Sequence, residues 1–169
     1  MSRQSRRHAA AEGSTESTRT SSSTISLVPR TATIELTMMK RVLGTGLAIL
    51  VAWTAIDGLM HRLILAPLYE TNSGLWRPFD QMNITLIYTV TFALIGVFLS
   101  VYCLLVRPKT LGTGLALGTF VGFALGIASG AGTFIHMPIP PALAWGWFFG
   151  GILKGVVGGG IMGAMITEG

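Results

Sequence analysis

The chain has 169 residues, half of them hydrophobic and 11% charged, with a formal charge of +5 and a mean hydropathy of +0.62. Water-soluble domains average about 25% charged residues, so this composition excludes an ordinary soluble domain. No nucleic-acid partner is expected from the positive charge, because it is gathered where membrane orientation explains it. Ten of the 19 charged residues lie in the first 41 positions, and seven of those ten are Lys or Arg.

Residues 1–37 open with MSRQSRRHAAAEGSTESTRTSSSTISL, rich in Ser, Thr and Arg and without an apolar period. Such a segment buries too little apolar area to offset its chain entropy, so a disordered cytoplasmic tail is expected. A translation start at Met38 or Met39 gives the same membrane domain, 38–169. An organellar transit peptide is the third reading; it fits the Arg and Ser content but not Glu12, Glu16 and Glu35. A secretory signal does not fit, because no short apolar core with a cleavage site follows the basic start.

A membrane-crossing helix needs about 20 mostly apolar residues, and four stretches meet this, at about 42–66, 84–106, 111–136 and 143–166. The fold class expected is all-α, a four-transmembrane-helix bundle behind the N-terminal tail. Positive residues flank the cytoplasmic ends of membrane helices. Lys40 and Arg41 precede the first helix, and Arg107 and Lys109 join the second to the third. This pattern predicts the cytoplasmic (inner) membrane with both termini cytoplasmic. Trp76, Trp145 and Trp147 then fall at the outer interface, as an aromatic belt would.

In the first helix Asp57 lies deep, about 9 residues from the outer end. His61 follows four residues later on the same face, with Trp53 on the other side of Asp57. Arg62 is placed to extend its charge to the headgroups. The outer joint PLYETNSGLWRPFDQMN holds Pro67 and the turn residues Asn72, Ser73 and Gly74. Asp80 or Asn83 is suited to cap the second helix, and Tyr69, Leu75, Trp76 and Phe79 suit the headgroup region. The stretch DGLMHRLILAPLYETNSGLWRPFDQM resembles a segment shared by small uncharacterised bacterial membrane proteins with four predicted helices. The residues carrying the resemblance are Asp57, His61, Tyr69, Leu75, Trp76, Arg77, Pro78 and Met82. It implies four-helix topology and a bacterial origin and carries no activity. Within it, Tyr69, Trp76, Arg77 and Pro78 form an outer-loop motif.

Cys103, the single cysteine, has no partner for an internal disulfide or a redox motif, and reads as a small apolar residue. The third helix carries Gly114, Gly118, Gly122, Gly126 and Gly130 at every fourth position, and the fourth carries Gly151, Gly155, Gly159 and Gly163. In lipid, small residues at this spacing let helix backbones approach closely. The Pro138, Pro140 and Pro141 joint makes the two helices antiparallel neighbours, so their ladders are expected to face each other or, alternatively, other partners including a second copy. LGTGLA occurs at both Leu43–Ala48 and Leu111–Ala116, each time two places after a basic residue, which suggests a duplicated hairpin.

Lys154 lies near the middle of the fourth helix, about 11 residues from its outer end. At about 1.5 Å per residue, Asp57 and Lys154 sit at a common depth of about 14–16 Å, which predicts a contact between them. Asp57, His61 and Lys154 are therefore the intramembrane polar set. They form either a structural lock or the core of an ion pathway. His61 and His136, with Met60 and Met137 beside them, are a pair on which haem or copper ligation could draw, and no cofactor is assigned. Nothing resembles a nucleophile–base triad, a phosphate loop or a zinc signature, so the chain is read as no enzyme. Three functions follow. The first is a structural or interaction subunit packed through glycine ladders, whose partners are the bilayer and a second copy or larger complex. The others are a small channel or transporter using Asp57, Lys154 and His61, and a haem or copper carrier using His61 and His136.

Overall fold

The computed structural model of the chain describes residues 30–168. Residues 1–29, with most of the tail assigned from composition, lie outside the described residues. Most of the described residues are helical. Helix α1 spans Arg30–Leu59 and continues through a π turn, Met60–Ile64; a short α2, Ala66–Thr71, follows. Two 3-10 turns, Ser73–Leu75 and Phe79–Gln81, lead into α3, Ile84–Leu105. Helix α4, Leu111–Gly126, runs through a second π turn, Ile127–Gly132, into α5, Thr133–His136; α6 spans Pro141–Met165. Four segments are long and apolar enough to cross a membrane: Ile34–Ile64, Ile84–Leu105, Leu111–His136 and Pro141–Met165. The protein is an all-α, four-helix membrane-type bundle.

One boundary is corrected. Residues 30–37, assigned to the tail by composition, form the start of α1. No Gly or Pro interrupts TATIEL, and extending an existing helix requires no new nucleus. Elsewhere local chemistry explains the ends. Asn83 caps α3 by accepting the Leu86 N–H at 2.9 Å. Thr110 and Thr113 form a reciprocal capping box on α4. Pro141 sits in the first turn of α6, where its missing N–H costs nothing.

We call the end bearing Lys40, Arg41, Arg107 and Lys109 the basic end, and the end bearing Trp76, Trp145 and Trp147 the aromatic end. Helix α6 is central, with α4 along its whole length and α1 on another side. At the α4–α6 seam the backbones touch. A Cβ added at Gly118 would lie 2.3 Å from the Gly155 carbonyl oxygen, and one at Gly159 would lie 2.2 Å from that of Gly114. Gly122 meets Gly151 and Gly155, Gly126 meets the Phe148 backbone, Gly130 meets the Ala144 carbonyl, and Gly163 meets Leu111. Both sets of glycines are thus consumed within the chain, and this seam offers no face to a second copy.

The side-chain core lies toward the basic end, where Ile49, Trp53, Phe98, Tyr102, Met162 and Ile166 bury one another. Helix α3 joins the bundle through this second half only; its first ten residues are mostly exposed. The C-terminal residues close the basic end. The Tyr102 hydroxyl reaches the Thr110 and Ile166 carbonyls at 3.2 and 3.3 Å. Glu168 accepts from Arg107 and from the buried Lys109, at 3.0 Å for the latter, and its N–H donates to the Lys109 carbonyl. Flanked by two cations, the Glu168 carboxyl is held well below its usual 4.5, at about 2.

Candidate functional site

Trp53, Asp57 and His61 are spaced four apart, which places them along one face of α1 and the π turn that continues it. That face meets α6 at Lys154. The Lys154 ammonium donates to both Asp57 carboxylate oxygens, at 3.0 Å to Oδ1 and 2.8 Å to Oδ2. Trp53 donates its indole N–H to the Lys154 carbonyl at 2.8 Å, and the ammonium stands 5.2 Å from the Trp53 ring centre, within reach of a cation–π attraction. One side chain of α1 therefore holds the backbone of α6 and another holds its charge.

The pair is not sealed. The Asp57 side chain keeps 41% of its surface accessible and Lys154 keeps 24%. A lone charge at the bilayer centre costs about 2.5–3.5 kcal/mol even on the lenient insertion scale. Mutual pairing offsets that cost, yet the open edge of the carboxylate still needs polar company. It faces a cavity of about 270 Å³ bounded by Leu65 and His61 of the α1 region, Leu94 of α3, Leu125 and Ser129 of the α4 segment, and Trp147 of α6. The ion pair forms its floor, and His61 and Trp147 lie toward the aromatic end.

Both π turns border this cavity. Met60–Ile64 contributes Met60 and His61, and Ile127–Gly132 contributes Ser129. A π turn fits an extra residue into the helix, and such turns recur at functional sites. Glycines provide the space opposite them: a Cβ at Gly146 would strike Leu65 at 2.7 Å.

Over the cavity lies a cluster of rings. The Tyr69 hydroxyl is 2.6 Å from His61 Nδ1 and accepts the Trp147 indole N–H at 2.6 Å. With Trp147 bonded to the phenol oxygen, the phenol hydrogen is available to His61 Nδ1. A neutral imidazole then carries its own hydrogen on Nε2. Trp76 stands edge-on to Tyr69 and Trp147, with ring centres 5.3 and 5.6 Å away. Its indole nitrogen is buried without a hydrogen-bond partner among the described residues. Burial pushes the Tyr69 phenol above its ordinary value, the Trp147 bond opposes this, and the Asp57 charge adds to the rise.

Of the polar residues singled out in the sequence, Asp57, His61 and Lys154 are brought together, with Tyr69 and Trp76 above them. Arg77 and Pro78 are exposed in the joint and do not line the cavity. His136 ends α5, also outside the lining, while the Nδ1 of His61 is taken by Tyr69. Among the described residues no three His, Cys, Asp or Glu side chains gather as a metal set would. Ser129 is a lining residue that the sequence does not point to, and Met60, named there only beside His61 for copper, lines the cavity as well. The one available signal for Ser129 was a hydroxyl inside the glycine-spaced stretch GIASG. Comparison of the chain with protein-family models, with curated proteins and with solved structures finds no match.

Proposed function

We propose that the chain is a multi-pass protein of the cytoplasmic membrane that binds a small polar solute in a cavity opening toward the outer face, as the solute-handling part of a small carrier or channel. The basic end is assigned to the cytoplasm and the aromatic end to the outer interface by the charge and tryptophan rules. The observation that carries the reading is the half-open Asp57–Lys154 pair. A charge pair serving only to fix helix register is best enclosed, because lipid does not solvate the carboxylate edge left open. Toward the basic end the packed core around Trp53, Phe98 and Met162 closes the path, so the conformation is that of a binding site open on one side.

A second reading, a structural subunit whose glycine ladders serve its own packing, is favoured by the continuous α4–α6 seam. The two readings differ in whether water reaches the pair. In a Cys103→Ser background, Ser129→Cys is expected to react from outside the cell with a membrane-impermeant thiol reagent, as is Ser73→Cys in the exposed joint. Reaction at position 73 with none at 129 would leave the cavity dry and return the chain to the structural reading.

A further inference from the structure

The charges on the cavity floor constrain what the cavity can hold. Asp57 and Lys154 together are electroneutral, and their mutual bonds do not exhaust them. The ammonium has three N–H groups and directs two bonds at the carboxylate. The carboxylate oxygens have about four acceptor positions, of which Lys154 occupies two. The pair therefore presents one cationic donor and free anionic acceptors side by side, without having to separate. A solute of net charge would bring an uncompensated ion to mid-membrane depth, where the field of a charge is poorly screened. A solute carrying both charges on adjacent atoms would have each of them met.

Resting on the solute-binding reading above, we infer that this cavity takes a small zwitterion of the α-amino-acid kind, its ammonium on Asp57, its carboxylate on Lys154, and an apolar side chain against Leu65, Leu94 and Leu125. Size and depth agree. A cavity of about 270 Å³ falls just below the range of about 300–1,000 Å³ that receives drug-sized ligands. Lys154 stands midway along α6, about 20 Å of helix from Pro141. A lipid headgroup does not reach that level, so the solute comes from the outer aqueous phase. The His61 ring, tied to Tyr69, stands over the bound molecule and leaves its second nitrogen for the solute's carboxylate.

The test uses the full chain in detergent, as the Cys103→Ser, Ser129→Cys variant, with valine as the probe. Isobutylammonium and isovalerate, which are valine lacking one charge each, serve as controls. Valine is expected to slow thiol labelling at position 129 at least fivefold in a saturable manner, and neither control to do so at the same concentration. Adding Asp57→Leu with Lys154→Met, which keeps the floor neutral, should abolish protection while leaving labelling itself intact. Protection by isobutylammonium alone overturns the inference in favour of a cation site, and protection by isovalerate alone in favour of an anion site. Labelling without protection by any of the three also overturns it, yet leaves the hydrated cavity standing. Absence of labelling removes both.

Discussion

The two helix pairs of this bundle begin alike and pack in opposite ways. Helices α1 and α4 share LGTGLA. In α4 the second glycine of that segment, Gly114, opens a run of glycines that meets another run on α6, and backbone lies on backbone. In α1 the corresponding Gly46 meets the side chains of Leu99 and Ile95, and α3 answers with a single glycine, Gly96, which faces nothing within 4 Å. The α1–α3 pair consequently relies on interdigitated side chains at one end and leaves a groove of about 590 Å³ between Val42 and Phe92. A small-residue motif holds helices together only when the partner carries one in register, because dispersion falls steeply with separation. One half of the molecule is a rigid plate. The other is a looser pair splayed from it, and the polar cavity opens between them.

The comparison is broken most severely at the seam. Gly159→Val should cost about 3 kcal/mol or more, at the upper end of overpacking penalties, since even its first carbon would lie 2.2 Å from a carbonyl oxygen. Gly44→Val in the α1 copy, where the added carbon first meets Met165 at 3.9 Å, should change stability by under about 0.5 kcal/mol. Unfolding of both variants in mixed micelles by a denaturing detergent measures the contrast; equal losses would remove it. Next comes the tie between the halves. Lys154→Met should destabilise by about 2 kcal/mol, below the 3–5 kcal/mol of a sealed pair because this one is partly open, and adding Asp57→Leu should recover most of it. The same micelle titration tests the recovery.

Smaller effects belong to the basic end. Tyr102→Phe removes the hydroxyl hydrogen shared by the Thr110 and Ile166 carbonyls and should cost about 1 kcal/mol in that assay. The Glu168 link has a direction in pH. With its folded carboxyl at about 2 against an ordinary 4.5, its contribution is whole above pH 4.5 and is lost as pH falls toward 2. Glu168→Gln should lower the unfolding temperature modestly at neutral pH, where that contribution is whole, and flatten the acid limb of a thermal unfolding series, so that the two proteins converge as pH falls toward 2.

The four membrane-length helices were legible because twenty apolar residues in a row admit few alternatives. Glycines every fourth residue announce a smooth helix face, though not which helix covers it. Residue counting put Asp57 and Lys154 at one depth, and the two side chains meet. What stayed hidden has no local code. A π turn arises when the widened helix packs better as a whole, so Met60–Ile64 and Ile127–Gly132 left no pattern in the residues. Tyr69 looked like a headgroup aromatic; its bonds to His61 and Trp147 depend on α2 folding back over the bundle, a tertiary event. The helical start at Arg30 was hidden for a different reason. Its residues are polar enough to read as tail, and helix continuation rather than composition decided them.

Glu168 is synthesised after all four membrane-length helices. While the ribosome is still adding α6, Arg107 and Lys109 have no acid to neutralise them. On the proposed orientation, their full charge is available to hold that joint on the cytoplasmic side during insertion. Once Glu168 has emerged, its carboxylate ties Arg107 and Lys109 into a structural clasp, and on that proposed orientation the same lysine serves insertion first and packing afterwards.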